Sequence, residues 1–445
     1  MKRFFPYSVL LMFAGVGLAA ETPDRAPNVI VIFTDDHGWA DAGCYGSKDI
    51  ETPNIDALAK RGVRFTQFCA AAPVCSPSRA GLLTGRFPPR AGMPGNAPST
   101  LGEPGMPPGE VTIAETLKQA GYATGHIGKW HLGFTPETMP LGQGFDYSFG
   151  HMGGCIDNFS HFFYWNGPNR HDLWRNGKAV QMPGRYFPDL MVEEAGQFME
   201  KNKDRPFFIY FAPSVPHYPY QGTPEWLERY KDLPYPRNLY AAFLSTIDER
   251  IGHLLERMDA LGLREDTIVI FQSDHGYSTE DRAHFGGGSS GPFRGAKFSL
   301  FEGGFRVPAI ISWPGKLPQG EVRDQLAHGC DWLPTIAELT GAEILNPDID
   351  GKSLLPVIQS ADTPSPHDVL HWVHGNSWAV REGDWKIIIN PLETGGKKPR
   401  AKVESPWLSN LALDQGEQKN FAEEYPDIVR KLTALHQSWV KSIPK

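Results

Sequence analysis

Asn28-Val-Ile-Val-Ile-Phe-Thr34, followed at once by Asp35-Asp36, is the stretch on which the fold turns. An unbroken apolar, mostly β-branched run with no polar alternation suits a strand covered on both faces. Pro206-Phe-Phe-Ile-Tyr-Phe-Ala212 repeats the pattern shortly before His217, and Thr267-Ile-Val-Ile-Phe-Gln-Ser273 repeats it directly before Asp274-His275. Helical patterns alternate with these strands over 54–61, 111–120, 189–201 and 240–261, the last carrying Phe243, Ile247, Ile251, Leu254, Leu255 and Met258 on one face. The alternation predicts an α/β fold, a large and mostly parallel sheet sandwiched by helices. Sites in such sheets lie in the crevice beyond the C-terminal strand ends, and three strands deliver polar residues there.

After about Pro308 the order changes. A helix over 331–340 and Pro-rich connections lead to 377–390, which alternates like paired strands around Arg381-Glu-Gly-Asp384, and an amphipathic helix runs from about 425 to 442. The 445 residues are enough for two cores, read as a catalytic domain over 21–330 and a smaller C-terminal α+β subdomain over 331–445. Residues 1–20 read as a signal peptide, with Lys2 and Arg3 ahead of an apolar stretch and Ala19-Ala20 ahead of Glu21. The expectation is a periplasmic or secreted protein with no membrane anchor. No Cys precedes Cys44, and no later run approaches the ~18 apolar residues of a span.

Cys44, Cys69, Cys75, Cys155 and Cys330 show no Cys-x-x-Cys spacing, which argues against a zinc knuckle or a disulfide scaffold. Their odd number leaves at least one thiol unpaired; Cys75 is the candidate, and pairing among the others stays open. A formal net charge of −8 argues against nucleic acid as a partner, although a local basic pocket can still hold a small anion.

Cys75 stands in Ala72-Pro-Val-Cys75-Ser-Pro77-Ser-Arg79-Ala-Gly-Leu-Leu-Thr-Gly-Arg86. A cysteine is ordinarily a small buried hydrophobe. Pro77, however, suits the first position of a helix, which sets Cys75 just before a helix N-terminus, where free N–H groups and the dipole attract anions. Arg79, one turn on, adds a fixed positive charge. Asp35 and Asp36 would repel each other unless a proton or cation separates them. With Asp274 and His275 they form an oxygen-rich ligand set that suits Ca²⁺, or less well Mg²⁺, rather than zinc; His275 is the softest member. In Gly125-His-Ile-Gly-Lys129-Trp-His131-Leu-Gly133, Lys129 and His131 fall on one side of an extended segment. His217, between Pro216 and Pro219 on a rigid loop, reads either as a turn residue or as a placed acid, the second being preferred. Lys297 lies in Gly291-Pro-Phe-Arg294-Gly-Ala-Lys297-Phe-Ser-Leu-Phe-Glu302-Gly-Gly-Phe-Arg306, where Arg294 and Glu302 read as structural.

Cys-x-Pro-x-Arg with its Leu-Leu-Thr-Gly-Arg continuation, followed in order by the Lys129 and Lys297 strings, resembles the type I sulfatases of the alkaline-phosphatase superfamily. The resemblance runs from Asn28 to the end of the chain. It implies an alkaline-phosphatase-like fold and hydrolysis of a sulfate ester to alcohol and inorganic sulfate. It also implies a separate maturation enzyme that oxidises Cys75 to Cα-formylglycine, whose hydrated aldehyde attacks sulfur. Carried onto this chain, Asp35, Asp36, position 75, Asp274 and His275 hold Ca²⁺, with His275 standing where many members have Asn. Arg79 holds the nucleophile and Lys129 contacts nucleophile and sulfate. His217 and Lys297 assist departure of the alcohol, while His131 takes a proton as the sulfated intermediate collapses. The competing readings are a phosphate or phosphonate monoester hydrolase and an inactive glycan-binding homologue, the latter disfavoured because every motif residue is present.

For the substrate, the segment from Gly153 to Asp172 mixes aromatic and polar side chains. One reading makes Asp157, His161 and Arg170 part of a carbohydrate pocket for a sulfated glycan. The other makes the segment a packed loop over the sheet.

Overall fold

Strand β1 (Asn28–Thr34) runs through the middle of a ten-stranded sheet in a computed structural model that describes residues 1, 25–164, 169–395 and 401–443. The expected signal peptide lies almost wholly outside the described residues. The other strands of this sheet are β2 (Val63–Phe65), β3 (Ala123–Lys129), β4 (Tyr147–His151), β5 (Trp174–Arg175), β6 (Lys178–Ala179), β7 (Phe207–Ala212), β8 (Thr267–Ser273), β9 (Ala309–Ser312) and β10 (Glu321–Arg323). Their spatial order is β10-β2-β9-β8-β1-β7-β3-β4-β5-β6. The central five, β8-β1-β7-β3-β4, are parallel, and Ile30 of β1 lies level with Ile209 of β7 and Val269 of β8. Antiparallel pairs occur only toward the edges.

Alternation along β1 divides its side chains between two cores. Val29, Val31 and Phe33 pack with helices α2 (Cys75–Thr84), α3 (Ile113–Gln119) and α6 (Trp332–Thr340). Ile30 and Ile32 pack on the other face with α1 (Pro53–Lys60), α4 (Phe187–Asn202) and α5 (Arg237–Ala260). All five β1 side chains are fully buried, each worth ~1.5–3 kcal/mol in transfer from water. The helix-sandwiched, mostly parallel sheet is the one expected. Helix bounds moved by a few residues where prolines open the first turn, as at Pro53 and Pro188.

The smaller C-terminal domain is an antiparallel sheet of β11 (Val369–His374), β12 (Ser377–Glu382), β13 (Trp385–Ile389) and β14 (Trp407–Asn410), backed by α7 (Pro426–Ser442). The strands anticipated over 377–390 are the hairpin β12–β13, turned at Gly383 with φ of 57°. One face of this sheet, Leu370, Trp372, Ala379 and Ile388, joins the α2 core of the large sheet. The opposite face, Val380, Ile387 and Leu408, packs on Leu432 of α7. All five cysteines are free thiols, which answers the open question of pairing. Among the described residues no helix is long and apolar enough to cross a membrane.

Candidate active site

The C-terminal ends of β1, β3, β7 and β8 meet the N-terminus of α2. Asp35 follows β1 directly, and its backbone pairs with Pro216 of the loop after β7. Asp36 adopts a left-handed φ of 62°, which turns the chain out of the sheet. Asp274 follows β8, and its amide donates to the Thr34 carbonyl, so the two acidic turns are tied together. Cys75 is the first residue of α2, with Pro77 third, rather than the residue before a helix that Pro77 opens. The first-turn amides have no intrahelical acceptors in any case, so proline fits the third position as well as the first. Val74 is the cap and offers no side-chain acceptor of its own; Asn96 Oδ1, from the loop after α2, accepts from the Ser76 amide at 3.0 Å. Ser78 anchors the first turn by donating to the Asp274 carbonyl at 2.5 Å.

Six charged side chains, all essentially buried, interlock around Cys75. Arg79 Nη2 lies 2.9 Å from Asp274 Oδ2 and 3.7 Å from Asp35 Oδ1, while its Nη1 donates to the Tyr210 hydroxyl at 3.2 Å. Lys129 Nζ bonds Asp35 Oδ2 at 2.7 Å. Lys297 Nζ sits 2.9 Å from Asp36 Oδ1 and 3.3 Å from Glu280. His275 Nε2 approaches Cys75 Sγ to 3.3 Å, and Asp35 Oδ1 lies 3.9 Å from the same sulfur. His217 Nε2 is 3.7 Å from Asp36 Oδ2.

These charges set the protonation states. Burial pushes the Cys75 thiol up, but Lys129 and Lys297 outweigh it and hold the thiol at about 6. Position 75 is therefore a place where the protein stabilises an anion. Burial works against ionised Asp35 too, yet the lasting positive charges of Lys129 and Arg79 keep it well below the usual carboxylate range. Asp36 goes the other way, lifted to about 8 by burial against the pull of Lys297 and with Asp35 repelling it. Asp274 is lifted to about 6 by burial and by Asp35. Burial and Lys129 hold His131 well below its ordinary value, and burial and Lys297 do the same to His217, so both imidazoles are neutral.

The acidic cluster fits a hard cation. Both Asp36 oxygens are buried without a hydrogen bond, the Lys297 contact being an ion pair out of hydrogen-bonding line. Donor atoms of Asp35, Cys75, Asp274 and His275 converge within 4.8 Å of one another, as do those of Asp35, Asp36 and His217. Three carboxylates dominate the donors, which is oxygen chemistry of the Ca²⁺ or Mg²⁺ kind.

A cavity of about 230 Å³ opens onto Cys75 and is lined also by His131, His217 and Lys297, with Phe163 and Phe298 as aromatic walls. Lys129 reaches the cluster from the end of β3. His131 arrives by a different route from the alternation expected, because its φ of 55° breaks the extended path after Lys129. Gly154 joins the lining from the segment read as a carbohydrate wall, while residues 96–100 and Glu280 complete it and were not anticipated. Glu280 lies only six residues after Asp274, a signal that was available; residues 96–100 belong to a Pro- and Gly-rich stretch with no distinguishing pattern.

Of the three residues read as carbohydrate contacts, the structure brings Arg170 nearest. Its guanidinium stacks 4.1 Å from the Phe163 ring and donates to the Ser99 carbonyl, behind the cavity wall. Asp157 and His161 do not line the cavity. Asp157 accepts from the Ser160 amide and from Gln221, and His161, fully buried, meets the Arg185 carbonyl. The segment is a packed loop at those two residues and a wall at Phe163; residues 165–168 lie outside the described residues.

The sulfatase family profile matches residues 27–342. Human arylsulfatase A is 36% identical over 97% of this chain and 90% of its own length. The dog N-acetylgalactosamine-6-sulfatase is 33% identical over 98% of this chain and 90% of its own. The crystal structure of Ps i-CgsB in complex with k-i-k-neocarrahexaose superposes with a TM-score of 0.83 at 31% identity, covering 93% of each chain. The chain belongs to the sulfatase family, within the alkaline-phosphatase superfamily. It is a sulfuric ester hydrolase, and its catalytic fold is the helix-sandwiched sheet described above.

Proposed function

We propose that this enzyme removes sulfate from a sulfated carbohydrate, using position 75 as the nucleophile after oxidation of Cys75 to Cα-formylglycine by a maturation enzyme. The observation that carries the reading is the environment of Cys75: at the first position of α2, with His275 Nε2 3.3 Å from its sulfur and Lys129 paired to the neighbouring Asp35, it is held at about 6 against burial chiefly by Lys129 and Lys297. The modified residue supplies a hydrated aldehyde oxygen for attack on sulfur, an anion that the same charges favour. Calcium, held by Asp35, Asp36, position 75, Asp274 and His275, would neutralise sulfate charge and that of the nucleophile.

The chain's own groups do the rest. Arg79 and Lys129 hold Asp35 and the nucleophile in register. Lys297, on the cavity wall, binds a sulfate oxygen beside the leaving group. His217, neutral before substrate binds, takes up a proton as the negative charge of the sulfate enters beside it and passes that proton to the departing alcohol, while His131, neutral and facing the cavity, accepts one in the second half of the cycle. Acid–base assistance of this kind is worth ~10²–10⁴-fold per group. Phe163 and Phe298 offer stacking faces for a sugar ring, and Arg170 and Ser99 brace the Phe163 wall. Asp157 and His161 contribute to specificity only by shaping this loop.

The same reading includes export through a signal peptide over 1–20, a catalytic domain over 21–330 and a C-terminal subdomain over 331–445. Helix α6 packs on the catalytic side of that division. The mass of the Cys75 peptide from a host competent for maturation tests the nucleophile. Formylglycine is expected; unmodified cysteine in an active enzyme would overturn it. Rates on matched sulfate and phosphate monoesters separate this reading from a phosphoesterase, and Cys75→Ala is expected to abolish turnover with little change in thermal stability.

A further inference from the structure

Lys297 is carried by a loop whose conformation its own sequence does not favour. Gly295 takes its φ of 85° without strain, whereas Phe298, next to Lys297, has a left-handed φ of 73°. Strained backbone of this kind persists only where the surroundings over-determine it. The amides of Lys297 and Phe298 donate to the Tyr277 and Pro73 carbonyls of the large domain at 3.0 and 2.8 Å, and the residues on either side are held from the C-terminal domain. The hydroxyl of Thr394, fully buried, accepts from the Ala296 amide at 3.0 Å and donates to the Ala296 carbonyl at 2.9 Å. Neighbouring residues add ties: Ser299 Oγ donates to the Leu392 carbonyl at 2.8 Å, and Arg294 Nε to Glu393 at 2.6 Å. Thr279, beside Glu280 on the cavity, donates to the Thr394 carbonyl at 2.6 Å. Three consecutive residues, 392–394, thus grip both sides of Lys297.

The far end of the loop is held from the same domain. Lys386 Nζ bonds Glu302 Oε1 at 2.9 Å and Glu417 at 2.8 Å, and Glu417 accepts from the Glu302 amide at 2.6 Å. All three side chains are fully buried. The stretch from Ala296 to Glu302 is therefore tied to the C-terminal sheet domain at both ends, with Lys297 next to the first tie and its own amide bonded to the Tyr277 carbonyl of the large domain.

We propose that Thr394 is a positioning residue for Lys297, and that the C-terminal domain through it completes the catalytic machinery of the large sheet. The proposal rests on the reading of Lys297 as a sulfate-binding group. A single hydroxyl closing on both the N–H and the C=O of residue 296 fixes the peptide from which Lys297 springs. A displacement of about 1 Å at such a point can cost ~10²-fold in rate.

Thr394→Val removes the hydroxyl and keeps the shape; Thr394→Ser keeps the hydroxyl. In matured enzyme acting on 4-nitrophenyl sulfate, Thr394→Val is expected to lower kcat ~10-fold or more, with Thr394→Ser near wild type. In a Lys297→Ala background the same Val substitution is expected to change kcat by less than ~2-fold, because the group it positions is gone. Equal losses in the two backgrounds, or full activity of Thr394→Val, would overturn the proposal. Hydrogen exchange of the 294–300 peptide reads the clamp independently of turnover: faster exchange in Thr394→Val is expected, and unchanged exchange sinks the clamp. Faster exchange in Thr394→Val together with undiminished kcat in Lys297→Ala would instead overturn the role of Lys297 on which the proposal rests. Should Thr394→Val fail to fold, Ser299→Ala removes an adjacent tie and is expected to show a smaller loss with the same dependence on Lys297.

Discussion

Asp36 concentrates the conflict that makes this site chemical rather than structural. Its backbone is left-handed, its two oxygens are buried without hydrogen bonds, and its carboxyl is raised to about 8 by burial. A bound divalent cation removes that penalty, so calcium is expected to raise the melting temperature of metal-stripped protein. Asp36→Asn should weaken calcium binding by at least ~10–100-fold in a calorimetric titration, the range that lesser disturbances of metal sites already reach; undiminished affinity would remove Asp36 from the ligand set. Tyr210 presents the complementary case. It accepts from buried Arg79 at 3.2 Å, and Tyr210→Phe is expected to cost ~1–3 kcal/mol in a denaturant titration by leaving a guanidinium N–H short of a partner. Asp35, Asp36, Lys129 and Asp274, which the fold brings together, stood out because polar groups at strand ends contrast with apolar runs, whereas Cys75 and Arg79 on α2 and Lys297 on its loop stood out only through the strings that carry the family resemblance. Tyr210 was not: inside Phe207-Phe-Ile-Tyr-Phe it looks like one more core aromatic, and only the arrival of Arg79 from α2 gives its hydroxyl a purpose.

At the scale of elements, apolar runs betrayed β1, β7 and β8, and one-face spacing betrayed α5, because burial acts on whole stretches at once. Two-residue strands such as β5 and β6 carry too few residues for any period to register, and they exist only because β4 offers an edge. The same blindness hid Asp248, a lone acid on the buried side of α5. Its carboxylate accepts from the Ile55 amide at 2.8 Å and the Asn54 amide at 3.1 Å, capping α1 from a neighbouring helix where α1 has no side-chain cap of its own. Burial lifts this carboxyl to about 6. Asp248→Ala orphans two first-turn amides, and a loss of ~1–3 kcal/mol is expected in equilibrium unfolding. Near-neutral stability of that variant would mean that water replaces the carboxylate.

Across the whole molecule, the C-terminal sheet is bound to the large one by a shared apolar core, and its outer helix is held by aromatic stacks that include histidines. His371 of β11 stacks on Trp439 of α7 with ring centres 4.7 Å apart, and His436 of α7 stacks on Trp378 of β12 at 4.0 Å. Phe87 and His436 are the other groups against His371, and His436 is the titratable one, 5.9 Å away. Burial, reinforced by His436, pushes His371 from 6.5 down to about 4, and burial alone does the same to His436. Both imidazoles are thus neutral when docked and protonate more readily when the helix is loose. Their contribution is complete above pH 6.5 and is lost as pH falls toward 4, at most about 3 kcal/mol for His371. Between pH 7 and pH 4.5, α7 is therefore expected to loosen ahead of the large sheet, seen as faster hydrogen exchange over 426–443 after correction for intrinsic rates. His371→Phe keeps the stack without the titration and should blunt that change. If α7 stays as protected at pH 4.5 as at pH 7, or if His371→Phe leaves the acid response intact, the histidines are ordinary packing groups and the helix is held by Leu432 and its apolar neighbours alone.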